Sequence, residues 1–420
     1  MADVTRPKPP DGGWGWMVVL AGFLQSALVF GVIRSFGVFF VEFVGYFGEL
    51  SGKVSWVTSI GIAVLQLGGP VSSALSTQYG ARPVVMAGGF LSGLGMLLAS
   101  FASSLTHLYL SIGLLSGLGW ALVFTPSVAS VAQYFTKRRT FATGLAVSGA
   151  GLASFAFSPL FQLLVDTYAW RGALMVVAGV SFNLVAAGAL LRPLGEPSSD
   201  VASPWSALSS LFQSHLLCHR PFLLFATTFI LVDTGYYVPY VHLVPHAREL
   251  GFNEYQAAFL MSSAAVADLF GRVVVSWLAD RLAVRLVHSL TLWTFLTGLS
   301  MVLLPLGGSY PILMGLALCY GFCAGALVPL QFCGLAEIIG TGRVMGGIGL
   351  MQMMESSGSL VGAPLSGWLR DITGDYTASF IVAGAFLIAG SFLLFTLPNY
   401  FSCSVNSTAE EETTEDRFLA

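Results

Sequence analysis

Apolar residues run along this chain in stretches of roughly twenty, separated by short polar or basic segments. A helix of that length crosses the hydrocarbon layer of a bilayer. The stretches lie at approximately 16–40, 54–77, 84–103, 107–132, 141–164, 171–191, 221–246, 255–279, 286–306, 311–336, 345–367 and 377–397. They predict twelve transmembrane helices and an all-α membrane protein. Gly and Pro recur inside them, as in Gly88-Gly89, Gly93 and Gly95, or Gly113, Gly117 and Gly119. Bilayer helices tolerate such residues, and small faces let helices approach closely.

Composition narrows the class. Hydrophobic residues make up 55% of the 420 residues and charged ones only 9%, against about 25% charged in an ordinary globular domain. Mean hydropathy is +0.79. No segment outside the spans is long enough to fold alone, and none carries a nucleophile elbow, a phosphate loop or a metal-ligand cluster, so an enzyme is excluded. Cys319 and Cys323 share a helix face, but no His or carboxylate accompanies them at metal-ligand spacing. The five cysteines read as reduced packing residues, and no metal or cofactor is expected. The net charge of -3 is uninformative, since what matters in a membrane protein is where the charges fall, and no nucleic-acid partner is expected. The partner implied by composition is the lipid bilayer.

The basic residues orient the chain. With Met1 cytoplasmic, Arg6, Lys8, Arg82, Lys137, Arg138, Arg139, Arg192, Arg220, Arg281, Arg285, Arg343 and Arg417 fall inside, and only Lys53, Arg171, Arg248 and Arg370 fall outside. This positive-inside bias places both termini in the cytoplasm. Asn406-Ser407-Thr408 then never meets the glycosylation machinery. The chain divides into a cytoplasmic N-terminus (1–15), a six-helix bundle (16–191), a Pro- and Ser-containing linker (192–220), a second six-helix bundle (221–397) and an acidic tail (398–420). A shift of 205 residues superimposes Gly144-Leu145, Pro159-Leu160 and Asp166 on Gly349-Leu350, Pro364-Leu365 and Asp371, and Val177-Ala178-Gly179 on Val382-Ala383-Gly384. Two six-helix halves in parallel repeat are the plan of the major facilitator fold, with substrate held at midplane between them.

Charge inside the membrane is expensive and marks binding or coupling sites. Five ionisable groups fall well within spans: Arg34, Asp233, Asp268, Arg272 and Glu355. Asp268 and Arg272 are i and i+4 on span eight, so they share a helix face. A small carboxylate needs a cationic partner in hydrocarbon, and the planar guanidinium suits it. A desolvated carboxyl beside it can take up a proton. Asp233 and Glu355 either line the path or make structural pairs. Phe30 and Phe36 flank Arg34 and either wall the site or pack. His242 and His246, one turn apart near the outer end of span seven, read as interfacial residues without a third metal ligand.

Two stretches carry a resemblance. Asp11-Gly12-Gly13-Trp14-Gly15-Trp16 opens the first span, and Tyr134-Phe135-Thr136-Lys137-Arg138-Arg139-Thr140-Phe141-Ala142-Thr143-Gly144-Leu145-Ala146 enters the fifth. Together they resemble the two signatures of the monocarboxylate transporter family, over Asp11 to about Pro398. The resemblance implies that Asp268 and Arg272 carry proton and substrate coupling, with Arg34 where lactate-carrying members have a lysine. Arginine does not shed its proton, so Arg34 holds an anion but relays no proton. Lys137, Arg138 and Arg139 are expected to pair with Glu337 or Asp11 as a cytoplasmic gate. The implied function is proton-coupled symport of small monocarboxylates (lactate, pyruvate, ketone bodies) at the plasma membrane, with protons as the coupling ion. Family members often use a single-span immunoglobulin-type chaperone, basigin or embigin. The rival readings are a proton-independent carrier of aromatic amino acids or other organic anions, and a non-transporting receptor or scaffold.

Overall fold

The structure is a computed structural model that describes residues 12–135, 138–192, 219–281, 285–339 and 344–397. Asp11, Lys137, most of the linker and the acidic tail lie outside the described residues. Among the described residues the fold is all helical, in twelve spans. Span one consists of Gly15–Arg34 and Gly37–Phe47, broken at Ser35. It runs on past residue 40 because Val41–Phe47 stays apolar apart from Glu42. Span two is Ser51–Leu67 and Gly69–Tyr79, bent by 42° where Pro70 contributes no amide hydrogen. Span three is Ala81–Ser100 and span four Leu105–Tyr134.

Spans five and six form one helical stretch, Thr140–Ala189, that turns at Ala169 (φ 54°, ψ 171°). Span seven is Arg220–Tyr236 and Val238–Glu249, with Pro239 just inside the second piece. Spans eight to twelve are Glu254–Arg281, Leu286–Leu306, Tyr310–Ile339, Val344–Thr373 and Thr377–Leu394. Phe90, Phe101, Leu110, Leu292, Ile372 and Phe392 point outward and are exposed, as surfaces that meet lipid must be.

With lipid outside, burying apolar surface does little to hold helices together, and close backbone packing takes over. Span eight lies against span ten at a distance only glycine allows. A Cβ on Gly325 would come within 2.3 Å of the Asp268 carbonyl oxygen, and one on Gly271 within 2.1 Å of the Phe322 carbonyl oxygen. The two halves meet chiefly where span five packs on span eight and span two on span eleven.

Call the end where span one begins the near face, and the opposite end the far face. At the far face, Asp371 at the end of span eleven accepts the Gly52 amide at the start of span two, at 3.0 Å. Asp166 at the end of span five accepts the Tyr255 hydroxyl at the start of span eight, at 2.7 Å. These are the two acids that the 205-residue shift superimposes, each holding the other half. At the near face, Asp280 of span eight accepts the Phe141 amide of span five at 2.9 Å. An acid at a helix N-terminus satisfies a free amide and complements the helix dipole.

One expectation falls outside what is described and one needs correction. Asp11, Lys137 and the Arg139 side chain lie outside the described residues, and among those described Glu337 is held elsewhere. Its Oε1 takes Arg285 Nε at 3.0 Å and its Oε2 the Leu286 amide at 3.0 Å, both within the same half. Arg138 is exposed at the N-terminus of span five. Among the described residues, the near-face hydrogen bond between halves comes from Asp280, a residue the sequence did not single out. His242 and His246 are not interfacial but buried, at 0% and 5% exposure. The His242 ring packs against Phe40 and Tyr376, and His246 against Phe380.

Candidate functional site: an arginine pair facing two acids across a central cavity

Spans one and seven occupy equivalent places in the two halves, and both break at mid-length. In span seven the helix ends at Tyr236 because Pro239 cannot continue the amide ladder. The freed Tyr236 carbonyl accepts the Tyr320 hydroxyl at 2.8 Å. In span one the helix ends at Arg34, and Ser35 takes φ -89°, ψ 2°. Gly37 lets the second piece approach the Tyr240 carbonyl, where a Cβ would sit at 3.2 Å. The two breaks therefore face one another, and Arg34 reaches across.

Arg34 Nη1 lies 2.7 Å from Asp268 Oδ2, and Nη2 donates to the Tyr236 hydroxyl at 2.7 Å. Its guanidinium carbon stands 4.5 Å from the centre of the Tyr240 ring, a cation–π contact. Arg272 engages the same carboxylate with Nε at 2.8 Å from Oδ2 and Nη2 at 3.2 Å from Oδ1. All three charged groups are buried, at 1–2% exposure. One carboxylate between two guanidiniums leaves a formal charge of +1. Such a buried arrangement persists only with close pairing and full hydrogen bonding. Among the described residues, Arg34 Nε, which carries a hydrogen, has no hydrogen-bond partner.

Arg34 and Arg272 line a cavity between the halves. Asp268 does not line it. The other walls are Phe30, Phe124, Phe229 and Phe332, with Gln66, Asp233, Tyr236, Tyr237, Gln331 and Glu355 among the polar groups. Phe124 bridges the halves, its ring centre 4.8 Å from Phe30 and 6.2 Å from Phe332. A few polar groups set in an apolar lining suit a small organic molecule.

The acids stand on other walls. Asp233 accepts Gln66 Nε2 of span two. Glu355 accepts Gln331 Nε2 of span ten at 2.5 Å. Ser359, one turn beyond Glu355, donates to Gln66 Oε1. Thr125 Oγ1 donates to Gln352 Oε1 at 3.2 Å, another contact between halves.

Of the residues singled out from sequence, Arg34, Asp268 and Arg272 come together as one cluster. Phe30, Asp233 and Glu355 line the cavity beside it. Phe36 does not: it is buried with Phe39 and Phe43. Tyr236, Tyr240, Gln66 and Gln331 were missed as site residues. A lone amide in an apolar span needs a partner, which is the signal Gln66 and Gln331 offered.

The profile of the Major Facilitator Superfamily matches residues 18–292 and 223–415. Monocarboxylate transporter 13 of Rattus norvegicus is 58% identical over 410 residues, covering 97% of this chain and 95% of that protein. The chain belongs to the monocarboxylate transporter family. Monocarboxylate transporter 11 of Homo sapiens is 44% identical, covering 93% of this chain and 84% of its own length. A crystal structure of the nucleoside transporter NupG superimposes with a TM-score of 0.69 at 13% identity, covering 92% of this chain and 100% of that one. At that identity the likeness is one of fold. This member of the family is thus a multi-pass membrane transporter, not an enzyme.

Proposed function

We propose that this transporter carries small monocarboxylates, of the lactate, pyruvate and ketone-body type, by proton-coupled symport through alternating access. The observation that carries the reading is the arginine pair on the cavity wall. With Asp268 as shared counter-ion, Arg34 and Arg272 retain a charge of +1, and one carboxylate neutralises it. Burial makes that neutralisation worth far more than it would be in water. The chemistry of the relatives' names supports the same substrate class. The basic-residue distribution supports cytoplasmic termini and a near face toward the cytoplasm, and we place the protein at the plasma membrane.

The test is uptake of labelled pyruvate by proteoliposomes containing the purified chain. Short monocarboxylates should compete, and their neutral amides should not. Arg34→Gln or Arg272→Gln should abolish uptake. Uptake blocked equally well by an amide, or retained in both variants, would overturn the assignment. A second reading, an organic anion with an aromatic body, draws on the phenylalanines around the cavity. Competition by aromatic acids in preference to pyruvate would favour it.

A further inference from the structure

A monocarboxylate on the arginines leaves part of the cavity unanswered. Asp233 and Glu355, 7% and 2% exposed, line the same cavity from spans seven and eleven. Those spans pack backbone to backbone, since a Cβ on Gly358 would strike the Ile230 carbonyl oxygen. The acids therefore stand on neighbouring helices of one wall. Asp233 accepts Gln66 Nε2 on Oδ2, and Glu355 accepts Gln331 Nε2 on Oε1. Ser359 donates to Gln66 Oε1 and so holds that amide against span eleven. Among the described residues neither acid has a cationic partner, and Asp233 Oδ1 and Glu355 Oε2 accept no hydrogen bond. The neutral amides supply donors but no countercharge, which a buried carboxylate needs.

The arginines reach the cavity from other helices, spans one and eight. They meet at the Tyr236 hydroxyl, which is 2.7 Å from Arg34 Nη2 and 3.5 Å from Arg272 Nη2. Asp233 precedes Tyr236 by three residues, so the two are offset by about 4.5 Å along the axis of span seven. A plain monocarboxylate satisfies the arginines alone. Its alkyl end would shield acceptor oxygens from water without giving them a donor, at a cost in free energy. A dicarboxylate would set a like charge against them. An ammonium group brings three N–H donors and a positive charge, and so meets both needs of that wall.

We infer that the preferred substrate is a monocarboxylate with an ammonium group at its far end, an ω-amino acid. Its carboxylate lies on Arg34 and Arg272, and its ammonium on Asp233 and Glu355. The inference rests on the carboxylate-carrier reading for one end of the ligand only, and the experiment tests the two ends separately.

Binding to the purified protein is measured by calorimetry for butyrate, 4-aminobutyrate and butylamine, and for the same trio one carbon shorter and one carbon longer. At the chain length that spans the cavity, the amino acid should bind about tenfold more tightly than the plain acid, the effect of one hydrogen bond to a charged group. Asp233→Asn and Glu355→Gln, both near-isosteric, should each bring that ratio toward unity. Arg34→Gln should lose the plain acid and the amino acid alike. The ratio is taken within each variant, so the yield of folded protein does not alter it. A wild type with no preference for the amino acid at any of the chain lengths would overturn the inference. So would a preference that persists in both Asp233→Asn and Glu355→Gln, which would make the two acids structural only. Binding of butylamine without binding of butyrate would instead overturn the carboxylate assignment and leave the acidic end standing.

Discussion

Asp268→Asn removes one charge and keeps the shape of the side chain. In the wild type that charge lies 2.7 Å from one guanidinium and 2.8 Å from the other. The neutral amide leaves two buried cations facing each other, and the cluster goes from +1 to +2. Breaking a buried ion pair by removing one partner costs about 3–5 kcal/mol. Here a single change breaks two, so the variant should unfold at a clearly lower temperature in detergent. A bound carboxylate supplies the missing charge. At about 100 times its Kd a ligand adds about 2.7 kcal/mol to the state it binds, so saturating propionate should restore much of the lost stability. The gain should exceed that of the wild type at equal propionate, because the variant presents a site of higher positive charge.

The assay is thermal unfolding of purified wild type and variant, with propionate or propionamide at matched ionic strength. Propionamide has the same carbon skeleton and no charge, so it isolates the electrostatic part. Two results would refute the reasoning. One is a variant as stable as the wild type, which would mean that the guanidiniums do not depend on Asp268. The other is equal protection by propionate and propionamide, which would mean that no carboxylate sits against the arginines.

Other outcomes follow from the same geometry. Phe30→Ala enlarges the cavity beside Arg34, so longer-chain carboxylates should gain as competitors of pyruvate relative to acetate. Gly325→Ala would drive a Cβ to 2.3 Å from the Asp268 carbonyl, forcing spans eight and ten apart. Both stability and transport should fall although no polar group is altered, and a thermal scan with an uptake assay checks both. Asp166→Asn combined with Asp371→Asn weakens the two far-face contacts between halves. A charged acceptor contributes about 1.5–3 kcal/mol per hydrogen bond, so hydrogen exchange at the starts of spans two and eight should rise in the double variant.

Much of the site could be read from the sequence because hydrocarbon makes charges conspicuous. Arg34, Asp268 and Arg272 were visible as rare groups in apolar runs, and the i,i+4 pairing follows from helix geometry alone. What could not be read was that Arg34 shares the carboxylate of Asp268, since that contact joins the two halves. Phe36 shows a different limit. Six residues of regular helix would already put it about 120° round from Phe30, and beyond the break at Ser35 Phe36 turns toward Phe39 and Phe43. For Glu337 the sequence offered the basic cluster at 137–139 and gave no sign of Arg285, which begins the neighbouring helix of the same bundle and pairs with it among the described residues. The repeat, by contrast, held information that was legible but unused. Asp166 and Asp371 matched across the halves, and a matched acid at the end of a span is a candidate for gripping the opposite half.

The contacts between halves bear on how the two halves rock. Around the cavity the halves are joined by Arg34 with Asp268, Arg34 with Tyr236, and Gln66 with Asp233. At the far face, Asp371 with Gly52, Asp166 with Tyr255, and Gln162 Nε2 with Glu254 at 3.2 Å add a further set. At the near face, the hydrogen bond between described residues that joins the halves is Asp280 with the Phe141 amide. Rocking about the centre keeps the first set as a pivot and must break one of the other two. Each charge-assisted hydrogen bond lost when a face opens costs about 1.5–3 kcal/mol. A substrate carboxylate on Arg34 competes with the contact to Asp268, which ties binding directly to the pivot on which the halves turn.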